Sequence, residues 1–210
     1  MKIEDWDPYY SEILDYFGFS RENDDKAASN LANLLPKDDI DLLKSLIYGN
    51  DCLICGNSPS LPKEVVKVSD LSNKCIIAAD AASRVLNGLG YRPDIIFSDI
   101  DGMDDDYLDM NEKGTVLVLH AHGDNIPLLK SWVPKVKGPI VGTTQSTPLD
   151  HVYNFGGFTD GDRCVFCADE LGAKSITIIG FDLDDRDVDP LKHGKLMVAR
   201  KLLHILGYDL

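Results

Sequence analysis

Positive charge is scarce in this chain: 21 lysines and arginines stand against 35 aspartates and glutamates, a net charge of −14 over 210 residues. A nucleic acid backbone needs a basic footprint, so no nucleic acid partner is expected. Long apolar runs are missing as well. The first residues, Met1-Lys-Ile-Glu-Asp-Trp6, are polar, and no segment approaches the length of a bilayer core. Neither a membrane partner nor an export signal is therefore expected. Cysteine is sparse and odd in number, five in all, which argues against a secreted disulfide framework and for a cytoplasmic location. Internal repeats and low-complexity linkers are also lacking.

The cysteines fall partly in two Cys-x-x-Cys pairs, Cys52/Cys55 and Cys164/Cys167. The first pair lies in a strand pattern, where residues three apart point to opposite faces. The second lies in an amphipathic helical run, spaced like core residues. The stretch between the pairs is far longer than that of a zinc ribbon. Buried apolar packing is the expected role of all four.

What the chain has in quantity is aspartate. Residues 94–109 hold seven and residues 182–189 five more. Some of these belong to solvated acidic faces, but Asp99 and Asp101 abut an apolar run. Residues 1–49 read as three helices, stopped in turn at Gly18, before Pro36 and at Gly49-Asn50. They form an N-terminal helical segment. From residue 50 to 210 short apolar runs at 52–55, 75–79, 94–98, 115–119, 139–142 and 175–180 alternate with helical stretches. That alternation predicts an α/β catalytic domain: a doubly wound, mostly parallel, Rossmann-like sheet carrying an N-terminal helical appendage.

Ligands of such sheets bind beyond the carboxyl ends of the strands, where strand order reverses. Polar residues follow nearly every apolar run. The first leads into Gly56-Asn57-Ser58-Pro-Ser60, whose amides and side chains could cradle a phosphate. The second ends at Asp80, which could also cap the following helix. The third ends at Asp99-Ile-Asp101-Gly102. Crowded carboxylates are driven toward protonation unless a cation joins them, and hard oxygen ligands favour magnesium over zinc. Magnesium held by one or two carboxylates commonly completes its coordination with water and substrate phosphates. The fourth run leads into His120-Ala-His122-Gly-Asp124-Asn125. Its two histidines could bind zinc if extended, but no third nitrogen or sulfur ligand is evident near them, which favours Asp124 as the further metal- or phosphate-site acid. His122 reads as a polar wall and His120 as buried and hydrogen-bonded. Gly156-Gly-Phe-Thr159-Asp160-Gly-Asp162-Arg163 opens a helix with acids, a hydroxyl and a cation that could meet phosphate, ribose or a heterocycle.

In this order, and together with Ile179-Gly-Phe-Asp182 and Phe17-Gly-Phe-Ser20, these segments resemble the archaeal-type 6-hydroxymethyl-7,8-dihydropterin pyrophosphokinases over nearly the whole chain. A fainter likeness to thiamin pyrophosphokinases lies in Asp80, Pro93-Asp94 and Ser98-Asp99-Ile-Asp101. The resemblance implies magnesium-dependent transfer of the β,γ-diphosphate of ATP to the hydroxymethyl group of a reduced pterin, releasing AMP. It implies a place in folate-type or methanopterin-type cofactor biosynthesis. Carried onto this chain, the metal candidates are Asp80, Asp99, Asp101 and Asp124, with Asp101 or Asp124 accepting the hydroxyl proton. Gly56, Asn57 and Ser58 become phosphate contacts, while Thr159, Asp160, Asp162 and Arg163 line the nucleotide or pterin pocket. ATP and the pterin are the implied partners, and a homodimer stays open. Competing readings are a haloacid dehalogenase-like phosphatase using Asp99 as nucleophile, a metal-dependent nucleotide-sugar glycosyltransferase, and a non-catalytic nucleotide-binding module.

Overall fold

A computed structural model describes all 210 residues. Seven strands form one wholly parallel sheet: β1 (Asp51–Cys55), β2 (Cys75–Ala79), β3 (Ile95–Ser98), β4 (Val116–Ala121), β5 (Ile140–Thr144), β6 (Val152–Tyr153) and β7 (Ser175–Ile179). Strands covered on both faces read as unbroken apolar runs. This is why β2 through β5, buried at every position, were legible as strands. The spatial order is β6-β5-β4-β3-β2-β1-β7. The chain steps outward from β1 to β6 and then returns to the far side of β1, so the order reverses between β1 and β7.

Helices cover both faces, and alternate strand residues supply two separate cores. On one face α2 (Arg21–Leu34), α4 (Leu61–Val65), α5 (Ala82–Gly88), α6 (Asp105–Glu112) and α7 (Ile126–Trp132) pack on Leu53, Cys55, Ile96 and Leu117. On the other, α3 (Ile40–Ile47), α8 (Asp160–Glu170) and α9 (Pro190–Ile205) pack on Cys52, Ile54, Phe97 and Val118. Cys52 and Cys55 thus face opposite cores, while Cys164 and Cys167 sit inside the second; all are buried free thiols.

Residues 1–49 do not form a core of their own. Leu31 of α2 and Leu43 of α3, both fully buried, pin the two helices to opposite faces of the sheet, each contributing roughly 2 kcal/mol relative to exposure. Helix α1 (Ile3–Phe17) lies outside them, where Trp6, Tyr10, Ile13 and Leu14 pack on Phe158, Phe166 and Leu202. The boundary at residue 49 marks a change of pattern along the chain, not a gap between two cores. Gly18 ends α1 in the left-handed region, at φ 69°, where a side chain would be strained. No helix is long and apolar enough to cross a membrane.

Candidate active site

A polar cleft of about 340 Å³ opens over the carboxyl ends of β3, β4 and β5. The β3 rim contributes Asp99, the β4 rim His122-Gly123-Asp124, and the β5 rim Gln145. The N-terminus of α8 adds Thr159, Asp160 and Arg163. The turn between α1 and α2 closes one side with Gly18, Phe19 and Ser20, the start of α2 adds Asn23 and Asp24, and Lys195 reaches in from α9. Phe19 and Phe158 are its apolar surfaces, with rings 6.5 Å apart.

The Asp99 turn is held from several directions. Ile100, fully buried, has φ 63°, a conformation that is costly for a β-branched residue and persists only where its surroundings enforce it. Asp99 Oδ1 accepts the amide of Asp101 at 3.1 Å, and the Ser98 hydroxyl accepts the amide of Ile100 at 2.9 Å. Arg84 donates to the Gly102 carbonyl and pairs with Asp104 at 2.9 Å, so it clamps the turn and is not a free surface charge. Asp80 has φ 43° and does not cap α5 through its side chain. Its carboxylate instead accepts from the hydroxyls of Ser98, at 2.7 Å, and Tyr107, at 3.1 Å. That fixes it beside the Asp99 turn, near Gly102.

Two opposite perturbations mark the cleft. Burial pushes the Asp99 carboxyl up, but the His122 imidazole, the Asp101 amide and the charge of Arg163 outweigh it and hold the group at about 2. His122 Nε2 lies 3.6 Å from Asp99 Oδ2. Asp160 moves the other way, well above the ordinary carboxylate range. Burial is the main cause, the negative charges of Asp99 and Asp80 add to it, and Arg163 at 3.3 Å only partly compensates. This is the crowding of acids that a cation would relieve.

No three His, Cys, Asp or Glu side chains converge into a ready-made metal cage. A magnesium ion needs none, since one or two carboxylates with water and phosphate oxygens suffice. Asp99 and Asp160, both lining the cleft, fit that donor set, and Asp80 stands close enough to be felt by Asp160.

The remaining expected residues divide. Asp124, Thr159, Asp160 and Arg163 line the cleft with Asp99. Asp124 is exposed and leaves the start of α7 to Asn125. Asp101 is exposed and lies outside the cleft wall. Asp162 is no pocket residue. Buried at the start of α8, it accepts the amides of Phe158 at 2.9 Å and Thr159 at 2.6 Å in a capping box that shapes the loop before the helix. Gly56, Asn57 and Ser58 also lie outside the cleft wall, at the reversal between β1 and β7. The amides of Gly56 and Ser58 are already committed to the carbonyls of Ile179 and Gly180, at 2.9 and 2.8 Å, so they cannot cradle a phosphate as they stand. Gly56 is needed for close packing, because a Cβ there would lie 2.5 Å from the Gly180 carbonyl.

Two charged groups in the cleft, Asp24 and Lys195, were not singled out from sequence. Buried Asp24 accepts from the Tyr10 hydroxyl at 2.6 Å, the Gln145 amide at 2.8 Å and the Gly123 amide at 2.8 Å. Gln145 in turn accepts from Arg163 at 3.1 Å. A polar chain thus runs from α1 through α2 and β5 to the cation of α8. His120 is buried, with Nδ1 3.1 Å from the Thr143 hydroxyl, and His122 forms a wall of the cleft.

Residues 25–188 match the family described as 6-hydroxymethylpterin diphosphokinase MptE-like. A 6-hydroxymethyl-7,8-dihydropterin pyrophosphokinase of Pyrococcus furiosus is 40% identical over 223 residues, covering 98% of this chain and 94% of that protein. The protein of the same name from Methanothermobacter thermautotrophicus is 38% identical, covering 97% and 94%. The one from Methanocaldococcus jannaschii is also 38% identical, covering 87% and 80%. Among solved structures, the Maf glycosyltransferase of Magnetospirillum magneticum aligns with a TM-score of 0.50 at 17% identity, over 82% of this chain and 29% of that one. That likeness is one of fold alone. By sequence, the chain belongs to the MptE-like family of 6-hydroxymethylpterin diphosphokinases.

Proposed function

We propose that the chain is a pyrophosphokinase that transfers diphosphate from ATP to the hydroxymethyl group of 6-hydroxymethyl-7,8-dihydropterin, in folate-type or methanopterin-type cofactor synthesis. The observation that carries this reading is the cleft itself, where Asp99, Asp124 and Asp160 share one cavity with Arg163, Lys195 and the neighbouring rings of Phe19 and Phe158. The aromatic faces suit flat heterocycles, and the mixed charge suits a polyphosphate arriving with its cation. Asp99 and Asp160 are the proposed magnesium ligands in the cleft, with Asp80, Asp101 and Asp124 proposed as the further carboxylates of the site. When bound, magnesium would neutralise charge on the phosphates.

In the reaction the pterin oxygen forms a bond to the β-phosphorus, the bridging bond to the α-phosphate breaks, and AMP leaves. The hydroxyl proton passes to a carboxylate, with Asp124 or Asp101 as acceptor. Little covalent chemistry is asked of the protein. Holding the hydroxyl in line and placing positive charge around the phosphates supply most of the acceleration. The rim from β5 to β1 spans four strand spacings, about 19 Å, comparable to an extended nucleotide. The side chains of Asn57 and Ser58 at its far end are thereby proposed as further nucleotide contacts, with Gly56 as the packing residue that seats them.

The direct test is incubation with ATP, magnesium and the reduced hydroxymethylpterin, followed by separation of products. AMP and the pterin diphosphate in equal amounts are expected. Inorganic phosphate with a phosphoryl group trapped on Asp99 would indicate a phosphatase instead, and tight ATP binding without AMP would indicate a binding module.

A further inference from the structure

We infer that Lys195 on α9 is a binding residue for the polyphosphate chain of the donor nucleotide; this deepens the function proposed above and rests on it. Of the cations on this helix, Arg200 pairs with Asp184 at 2.8 Å and Lys201 with Glu12 at 2.7 Å. Lys192 is exposed and outside the cleft. Lys195 alone among them lines the cleft, and it forms no ion pair, although Asp24, Asp99, Asp124 and Asp160 line the same cavity.

Of the other charges in the cleft, only the exposed Asp124 carboxylate is also without a partner. Asp24 is saturated by Tyr10, Gln145 and Gly123. Arg163 divides its guanidinium between Asp160 and Gln145. The lining carries four carboxylates against two permanent cations, so a bare polyphosphate would meet net repulsion there. The uncommitted ammonium of Lys195 is the group best able to receive it, as a compact charge with three donors on a flexible stem. The reduced pterin is uncharged and offers an ammonium only neutral acceptors, weaker partners than phosphate oxygens.

The helix is built to bring that residue close. Gly194 stands in the interior of α9, where glycine costs stability relative to alanine. It is buried, and a Cβ there would lie 3.2 Å from Phe17 Cε1 and 3.3 Å from Tyr16 Cε1, tighter than ordinary packing. Its bare backbone lets α9 approach the end of α1, beside the Gly18-Phe19-Ser20 turn that walls the cleft, and so seats the next residue over that opening.

The test compares wild type with Lys195→Met, which keeps the apolar stem, and Lys195→Arg, which keeps the charge. Affinities are measured for magnesium–ATP, for magnesium–inorganic tripolyphosphate and, separately, for the reduced hydroxymethylpterin. Loss of a charged hydrogen bond predicts that Lys195→Met weakens both polyphosphates by about ten- to a hundredfold, leaves the pterin unaffected, and is largely rescued in Lys195→Arg. Unchanged tripolyphosphate affinity in Lys195→Met, equal losses for polyphosphate and pterin, or a wild type that does not bind magnesium–tripolyphosphate would each overturn the assignment. Lysine-dependent tripolyphosphate binding by an enzyme that makes no AMP would keep the assignment and overturn the pyrophosphokinase reading.

Discussion

The side chain of Asn125 donates to the backbone carbonyl of Asp99 at 2.8 Å, tying the end of β3 to the loop after β4. Its other amide hydrogen goes to the His120 carbonyl at 2.7 Å, and its oxygen accepts the His122 amide at 3.1 Å. One buried amide therefore sets the spacing between the two acidic rims of the cleft. Asn125→Ala strands three backbone groups, at a cost of about 3 kcal/mol in stability, the range for unsatisfied buried partners. Denaturant unfolding would measure this. The same variant is expected to lower kcat more than it raises KM, because Asp99 is displaced while the cleft persists.

Gln145 offers a second test, since it joins Asp24 to Arg163. Gln145→Leu fits the space but leaves the Asp24 carboxylate short of one donor and Arg163 without one acceptor. A loss of about 2–3 kcal/mol is expected, with a rise in KM for ATP as Arg163 loses its orientation. A double-mutant cycle between Tyr10→Phe and Gln145→Leu should show coupling through Asp24. Strict additivity would break the proposed chain from α1 to α8.

These two residues also show what sequence could and could not convey. The buried strands β2 to β5 were legible because each is an apolar run ending in a polar residue. The alternation of Cys52 and Cys55 followed from strand geometry alone. Strand β6 was not legible, because two residues carry no periodicity. Asp24 and Gln145 are 121 positions apart, and their contact depends on α2 folding back over β5. Lys195 was one basic residue among several on an amphipathic helix, and only tertiary packing distinguishes it. The motif Thr159-Asp160-Gly-Asp162-Arg163 falls partly in the cleft wall, but spacing could not tell Asp160, facing the cleft, from Asp162, facing the loop it caps.

His120 predicts a pH dependence of stability. Its pKa lies well below the ordinary 6.5, first because burial desolvates the imidazolium, then because Arg163 and His122 repel it. Below pH 6.5 the unfolded chain takes up a proton that the native state refuses, so native stability falls as pH drops through that window. Asp160, raised above 3.8, contributes the opposite slope, because its native form holds a proton that the unfolded chain releases. The measurement is therefore the difference between wild type and His120→Asn, in which Asp160 is common. Relative to that variant, wild type should lose up to about 1.4 kcal/mol per pH unit below the ordinary histidine pKa. Parallel stability curves would show that His120 is protonated alike in both states.

Asp99 and Asp101 separate a fixed carboxylate from an available one. Asp99 sits in the cleft wall with its carboxyl held at about 2 and His122 beside it, so it is ionised throughout the physiological range and already oriented. Asp101 is exposed, and its amide, not its carboxylate, is engaged with Asp99. If both carboxylates serve one magnesium ion, Asp99→Asn removes the oriented ligand and should lower kcat by more than about a hundredfold, the scale of losing a positioned electrostatic group. Asp101→Asn should cost less, and raised magnesium should recover part of its activity but little of that of Asp99→Asn. Because the two act as a unit, the double variant should be scarcely worse than Asp99→Asn alone. Losses that multiply would place the two aspartates in independent roles, with Asp101 free to act as the proton acceptor. Full activity in Asp99→Asn would move the metal site to Asp160, with Asp80 near enough to be felt by it.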